Sequence, residues 1–317
     1  RINMNISILE IGAKRFGTSA SSLRLLGGFD QNVYECKLHK NLIIKFLSSE
    51  NHSYTTIKAE LNWMNYLSSN GLFIAKPIVS QMGNLIEEVQ TDQDNYFVIA
   101  FEKAKGTIRQ EIDHDFSLIH NWGKVMGKMH YLAKNYLQDQ PDHYKHWNKE
   151  KIIVEYPENL GQIILKKWNW FLEELNKLPK DEQSYGLIHH DLHHQNFHVY
   201  KEEIIVFDFG DIEYHWFVYD IAISMYHAIQ TIPSSDKRKK QEFASRFYET
   251  FIEGYLEENS LNKDWFSYIP FFLRYRQIYS YIYLLNYLKV DNAQPNILKA
   301  LRNMKNNIEN DIPVIDF

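Results

Sequence analysis

An α+β fold is predicted by three features: strand patterns broken by one helical period in the first hundred residues, long helical periods after Lys105-Gly106, and one short β island inside that helical half. LRLLGG (23–28) and NVYECKL (32–38) flank a turn holding Gly27, Gly28 and Asp30. NLIIKFL (41–47) is an apolar run interrupted by one lysine, so these segments read as a small antiparallel sheet. Ile57, Leu61, Met64 and Leu67 then recur on one helical face, stopped by Asn70 and Gly71. Strands resume at LIEEV (85–89) and YFVIAFE (96–102).

Beyond residue 106, Leu118, Trp122, Val125, Met126 and Met129 share one helical face, as do Ile164, Trp168, Phe171, Leu172 and Leu175. The β island consists of GLIHHDLHHQNFHVY (186–200) and EIIVFDFGD (203–211) on either side of a turn at Lys201 and Glu202. From Tyr219 onward the pattern returns to aromatic-rich helices. The run IPFFLRYRQIYSYIYLLNYL (269–288) carries Arg274, Arg276 and Gln277, which breaks it as a membrane span and leaves a buried helix. No repeat, low-complexity tract or long polar linker separates the halves. The boundary is placed at residues 102 to 106, giving domains 1–102 and 103–317.

With 44% hydrophobic residues among 317, the chain can bury one large core or two medium ones. Its 35 basic and 40 acidic residues give a net charge of -5, which argues against nucleic acid or an anionic membrane as partner. A lone cysteine, Cys36, excludes an intramolecular disulfide and any multi-cysteine metal site, and suits a reducing cytosol. RINMNISILE lacks the pattern of a secretory signal, and Met4 is a candidate natural start. A cytoplasmic monomer or homodimer acting on a small molecule is the expectation.

The stretch LIHHDLHHQNFH (187–198) packs five histidines around Asp191 and Asn196. Histidine spacing alone would satisfy part of a zinc site. The sharper pattern is carboxylate and amide: His189, Asp191 and Asn196 fit H-x-D-x-x-x-x-N, the loop spacing used in phosphoryl transfer, and Asp208-Phe209-Gly210 fits the metal-binding D-F-G. The two motifs occur in order, 17 positions apart (208 minus 191), around a β turn. On this reading His190, His193, His194 and His198 are mostly polar loop or strand residues bonded to nearby backbone. Upstream, Lys45 inside IIKF and Glu60 on the apolar side of its helix are two charges on apolar faces that invite pairing. Each could instead snorkel to solvent. Gly27 and Gly28 would let backbone approach a phosphate, although a glycine pair also serves an ordinary hairpin turn.

The order Gly27-Gly28, Lys45, Glu60, FEKAKG (101–106), HHDLHHQN (189–196), DFGD (208–211) and Asp220 resembles the aminoglycoside phosphotransferase and choline kinase family, over roughly residues 20 to 290. His190 stands where that family usually has glycine, and His194-Gln195 where it commonly has proline and glycine. The resemblance implies a protein-kinase-like, two-lobed fold using ATP and Mg²⁺ to phosphorylate a hydroxyl of a small molecule. Asp191 would then be the catalytic base, and Asn196 and Asp208 the Mg²⁺ ligands. Lys45, held by Glu60, would bind phosphates, and backbone of Phe101, Glu102 and Ala104 would meet adenine. Asp220 would buttress the catalytic loop. A protein kinase fits less well, because no A-P-E follows Asp208 and only twelve positions (220 minus 208) precede the next helix.

An acceptor beside Asp191 should meet Asp211, Glu213, Tyr214 and Trp216, with Tyr275, Tyr279 and Tyr283 on a nearby helix. Carboxylates beside aromatic faces suit a cationic amine, while Arg274 and Arg276 leave room for an anionic acceptor. The tyrosine stripe also reads as core. A catalytically silent nucleotide-binding module and a metal-dependent hydrolase are the competing functions, and aminoglycoside, amino-alcohol and sugar acceptors share these motifs.

Overall fold

A computed structural model describes residues 5–28, 31–38, 41–92, 94–136, 143–155, 160–287 and 295–316. Asp30, Met4 and Leu288, all considered above, lie outside them. In chain order the elements are α1 (Ile6–Arg15), β1 (Leu23–Gly27), β2 (Val33–Cys36), β3 (Leu42–Ser48), α2 (Tyr54–Ser69), β4 (Pro77–Ile78), β5 (Glu87–Gln90) and β6 (Asn95–Glu102). There follow α3 (Phe116–Lys134), α4 (Lys151–Val154), α5 (Gln162–Lys177), β7 (Tyr185–Ile188), β8 (Phe197–Tyr200), β9 (Glu203–Val206) and β10 (Glu213–Trp216). Last come α6 (Phe217–Ile229), α7 (Lys237–Glu258), α8 (Ile269–Tyr287) and α9 (Pro295–Glu309).

The chain divides into two compact units. The first comprises residues 1–107 with 138–144 and 197–210, and the second comprises 108–137, 145–196 and 211–317.

In the first unit an antiparallel sheet runs β1-β2-β3-β6-β4, with β5 also on β6. Alternation decides what each face carries: Leu42, Ile44 and Phe46 of β3 point into a core shared with Val89, Val98 and Ala100, and Lys45 falls on the opposite, half-buried face. Ile8 of α1 packs into the same core. That helix is a correction to the sequence reading, which places only one helix in this region. It is ten residues long with Gly12 in its middle, so both propensity and periodicity are weak there. The glycine is required all the same, because a Cβ at position 12 would come within 2.4 Å of the Phe46 ring.

Helix α2 is capped at its start by Ser53, whose Oγ accepts from the Thr56 amide at 3.2 Å. It ends at Asn70, whose Nδ2 donates to the Tyr66 carbonyl at 2.8 Å, and Gly71 follows at φ +87. The β8–β9 hairpin turns at Lys201 and Glu202, both in the left-handed region, as a two-residue hairpin loop requires.

The second unit is mainly helical around buried Trp122, Trp147, Trp168 and Trp216, with β7 and β10 paired antiparallel. Helices α3 and α7 approach closely because glycines line their crossing. A Cβ on Gly123 would lie 2.1 Å from the Phe251 carbonyl, and one on Gly254 2.1 Å from that of His120. Helix α8 is buried along Phe272, Tyr275, Ile278, Tyr279 and Ile282. Among the described residues no helix is long and apolar enough to cross a membrane.

Candidate active site

In the first unit Lys45 meets the D-F-G segment. Its Nζ lies 3.4 Å from Asp208 Oδ1, so a β3 cation meets the carboxylate of the D-F-G segment that follows β9. Asp208 adopts φ +61, a strained value for a non-glycine residue that turns the chain just beyond the hairpin. Its side chain remains about half exposed. A Cβ at Gly210 would come within 3.2 Å of Lys45 Nζ, so the small residue leaves room for the ammonium. Glu60 is buried on the α2 face that carries Ile57, Leu61 and Met64.

Gly28, at φ +84, closes a turn in which a Cβ would sit 2.5 Å from Asn32 Oδ1, whereas Gly27 faces open space. At the end of β6 the Glu102 amide donates to the Lys76 carbonyl, and the Lys103 amide just beyond it donates to that of Asn41. The Ala104 carbonyl accepts from His198 Nδ1 at 2.9 Å. His198 is thereby a strand residue tied to backbone rather than a metal ligand.

In the second unit the catalytic-loop residues sit on a scaffold of buried hydrogen bonds. Asp220 of α6 accepts from the His189 amide through Oδ2 and the His190 amide through Oδ1, both at 3.0 Å. The His130 ring lies 3.1 Å from the same Oδ2. Burial acts to raise the Asp220 pKa, but these hydrogen bonds outweigh it and hold the carboxyl below its usual range. Ser224, one turn on, donates to the Leu192 carbonyl at 2.5 Å. Asp220 therefore buttresses the loop, the place that the family resemblance implies for it.

Asp191 emerges from this scaffold with its side chain a quarter exposed. Arg276 Nη2 donates to its Oδ1 at 2.9 Å, while Asn196 Nδ2 donates to its Oδ2 at 3.1 Å and to its carbonyl at 2.8 Å. His193 Nε2 lies 3.3 Å from Oδ2 and His227 Nε2 3.7 Å from Oδ1. Burial acts to raise the Asp191 pKa, yet the His193 hydrogen bond and the Arg276 charge prevail and keep the carboxyl well below the usual carboxylate range. Asp191 is thus an anion that can accept a hydrogen bond from a hydroxyl. With its amide nitrogen turned to Asp191, Asn196 keeps its carbonyl oxygen for a hard cation.

Arg276 and His227 are the neighbours that the sequence did not assign to the base. In the sequence Arg276 stands beside Arg274 in an aromatic-rich run, where the two leave room for an anionic acceptor. Arg276 is instead buried, with Nη1 on the His190 carbonyl at 3.2 Å. His227 carries no motif, and only its placement one helical turn beyond Ser224 and two beyond Asp220 brings it to the site.

The residues expected near an acceptor differ in how the fold places them. Asp211 is exposed, and Tyr214 is half-buried with its ring stacked on His146 at 4.7 Å. Trp216 is fully buried and its indole N–H donates to the Pro179 carbonyl at 2.8 Å, so it is core and offers no surface to an acceptor. Glu213 is also buried, because β10 turns alternate residues inward. Tyr275 stacks on Trp168 in the core, and Tyr279 donates to Glu150 Oε2 at 2.8 Å.

Comparison with known proteins gives three kinds of match. The APH family model, described as phosphotransferase enzyme family, matches residues 22–268. An amicoumacin kinase of Bacillus subtilis (strain 168) is 33% identical over 318 residues, which is 98% of this chain and 94% of that protein. The solved structure of amicoumacin kinase hAmiN in complex with AMP-PNP, Ca²⁺ and Ami has a TM-score of 0.88 at 29% identity, covering 99% of this chain and 96% of the other. A microcompartment-associated aminopropanol kinase follows the same fold with a TM-score of 0.76 at 16% identity, over 96% and 95% of the two chains.

Proposed function

We propose that this chain, which belongs to the phosphotransferase enzyme family and is a small-molecule kinase, transfers the γ-phosphate of ATP to a hydroxyl that Asp191 orients and deprotonates. The observation that carries the reading is the environment of Asp191. A carboxylate held ionised by Arg276 and His193, on a loop fixed by Asp220, is suited to orient an acceptor hydroxyl and to take its proton late, once bonding to phosphorus has made that proton acidic. Lys45 is the phosphate-binding cation and Glu60 the carboxylate that steadies it. Asp208 and Asn196 would be the Mg²⁺ ligands, as the family resemblance implies. The metal would neutralise charge on the transferring phosphate. Adenine is bound by backbone at Phe101, Glu102 and Ala104, and Gly27-Gly28 lies in a phosphate-facing turn. The division into a nucleotide-binding lobe (1–102) and a catalytic lobe (103–317) belongs to the same proposal.

For the acceptor, the identity to an amicoumacin kinase across nearly the whole length of both chains makes an amicoumacin-type antibiotic the first compound to test. Asp211 and Tyr214 remain in the proposed acceptor set, and the buried Glu213 and Trp216 are withdrawn. The experiment is an ATP-consumption screen with amicoumacin, amino alcohols, aminoglycosides and sugars, with the product confirmed by mass spectrometry. Turnover that depends on amicoumacin supports the proposal. Turnover with only a different alcohol would keep the kinase and change its acceptor.

A further inference from the structure

Behind Asp191 lies a polar cluster that phosphoryl transfer does not use. Glu150 ends a short 3₁₀ turn at Trp147–Lys149, His190 directly precedes Asp191, and Glu213 opens β10. One ligand-type atom from each residue lies within 4.8 Å of the other two. His190 Nε2 is 3.4 Å from Glu213 Oε1 and 3.7 Å from Glu150 Oε1. His190 is 3% exposed and Glu213 1%. Among the described residues, neither His190 Nε2 nor Glu213 Oε1 has a hydrogen-bond partner. A buried carboxylate and a buried imidazole, each with an unsatisfied atom, beside the partly exposed carboxylate of Glu150 would be satisfied by a positive species between them.

We propose that Glu150, His190 and Glu213 form a binding site for a first-row divalent transition cation such as Zn²⁺. The spacing supports this. Zinc bonds of about 2.0–2.2 Å place tetrahedral ligands roughly 3.4 Å apart, close to the two separations around His190 Nε2. The donor set, one imidazole and two carboxylates, suits Zn²⁺, Co²⁺ or Mn²⁺ and leaves a position for water. Tyr279 donates to the other oxygen of Glu150 at 2.8 Å, the kind of outer hydrogen bond that orients a metal-bound carboxylate. His190 holds φ +70, a conformation that costs a side chain some strain and that glycine adopts freely, so His190→Gly is compatible with the loop. Burial, and then the negative charge of Glu150, push the Glu213 carboxyl well above its ordinary pKa, and a dication would reverse that. Bound metal would tie the catalytic loop to β10 and to the turn at Glu150, fixing the backbone beside Asp191.

The test uses chelator-stripped full-length protein without nucleotide, titrated separately with Zn²⁺, Co²⁺ and Mn²⁺. Metal content after gel filtration, thermal stability and the visible spectrum of the Co²⁺ form are the readouts. One equivalent of Zn²⁺ should be retained, Tm should rise, and Co²⁺ should give the intense bands of a four-coordinate site. His190→Gly suits φ +70 and should fold; it and Glu213→Gln should weaken binding by at least about tenfold and lose those bands. Asp208→Asn, directed at the proposed nucleotide metal, should leave all three readouts unchanged, which separates failure of this site from failure of the kinase reading. The proposal is overturned if wild-type protein retains no metal and shows no shift in Tm, or if His190→Gly binds as wild-type does. Glu213→Gln raising the Tm of metal-free wild-type protein that takes up no metal would identify a carboxyl pair sharing a proton instead.

Discussion

Arg276 lies in an apolar helix, yet it makes two hydrogen bonds to the catalytic loop, to Asp191 Oδ1 and to the His190 carbonyl. Removing it takes away a charge-assisted hydrogen bond of about 1.5–3 kcal/mol, so Arg276→Gln should lower kcat by roughly 10- to 100-fold. The same change should move the acid limb of the kcat/KM profile to higher pH, because the base would titrate nearer its ordinary value. A stability consequence has a definite sign. The folded-state pKa of Asp191 is depressed, so its interactions stabilise the protein above the unfolded value of about 3.9 and fade as pH falls through the folded one. The stability gap between wild-type and Arg276→Gln, measured by urea denaturation, should therefore narrow below about pH 4. An unchanged acid limb with an unchanged gap would show that Arg276 does not act through Asp191. The carboxylate and amide of the loop were legible in the sequence because their spacing is fixed by chemistry. Arg276 was not, because its partner lies 85 positions away (276 minus 191) and only the fold joins them.

Helices α3 and α7 illustrate what periodicity can and cannot tell. The apolar face of α3 is plain in Leu118, Trp122, Met126 and Met129, and all four are buried. The reason for Gly123 and Gly127 between them is not, since glycine in a helix interior reads locally as a weakness. Their role is to admit the α7 backbone, with a Cβ at Gly127 falling 2.4 Å from the Tyr255 carbonyl. Gly127→Ala should destabilise the protein by roughly 1–3 kcal/mol despite its better helix propensity, read as a lower urea midpoint. A neutral or stabilising effect would mean that the two helices can part without cost. Strand pairing shows the same limit. The β8–β9 hairpin is visible because its two-residue turn is local, whereas β7 pairs with β10 across the whole catalytic loop and that hairpin, a register no local pattern encodes.

Across the whole molecule, Asp191 and Asn196 belong to the second unit, while Lys45 and Asp208 belong to the first. The segment 197–210 groups with residues far upstream, and no change of composition marks either end of it. The sequence therefore conveyed the order of the motifs better than the grouping of the chain that carries them. Asp208 is half exposed, so Asp208→Asn should fold normally and still lose at least about tenfold in turnover, given the several-kcal/mol stabilisation a bridging metal supplies. A variant keeping near-normal activity would remove Asp208 from the metal.

Transfer of phosphate from ATP to an acceptor hydroxyl, followed by mass spectrometry for wild-type and Asp191→Asn with calorimetric ATP binding measured on both, tests the account most directly. Wild-type should give a monophosphorylated acceptor, and Asp191→Asn should lose about 10²- to 10⁴-fold in kcat while binding ATP almost as tightly. Phosphorylation that survives the substitution, or nucleotide binding that collapses with it, would contradict the assignment of Asp191 as the base.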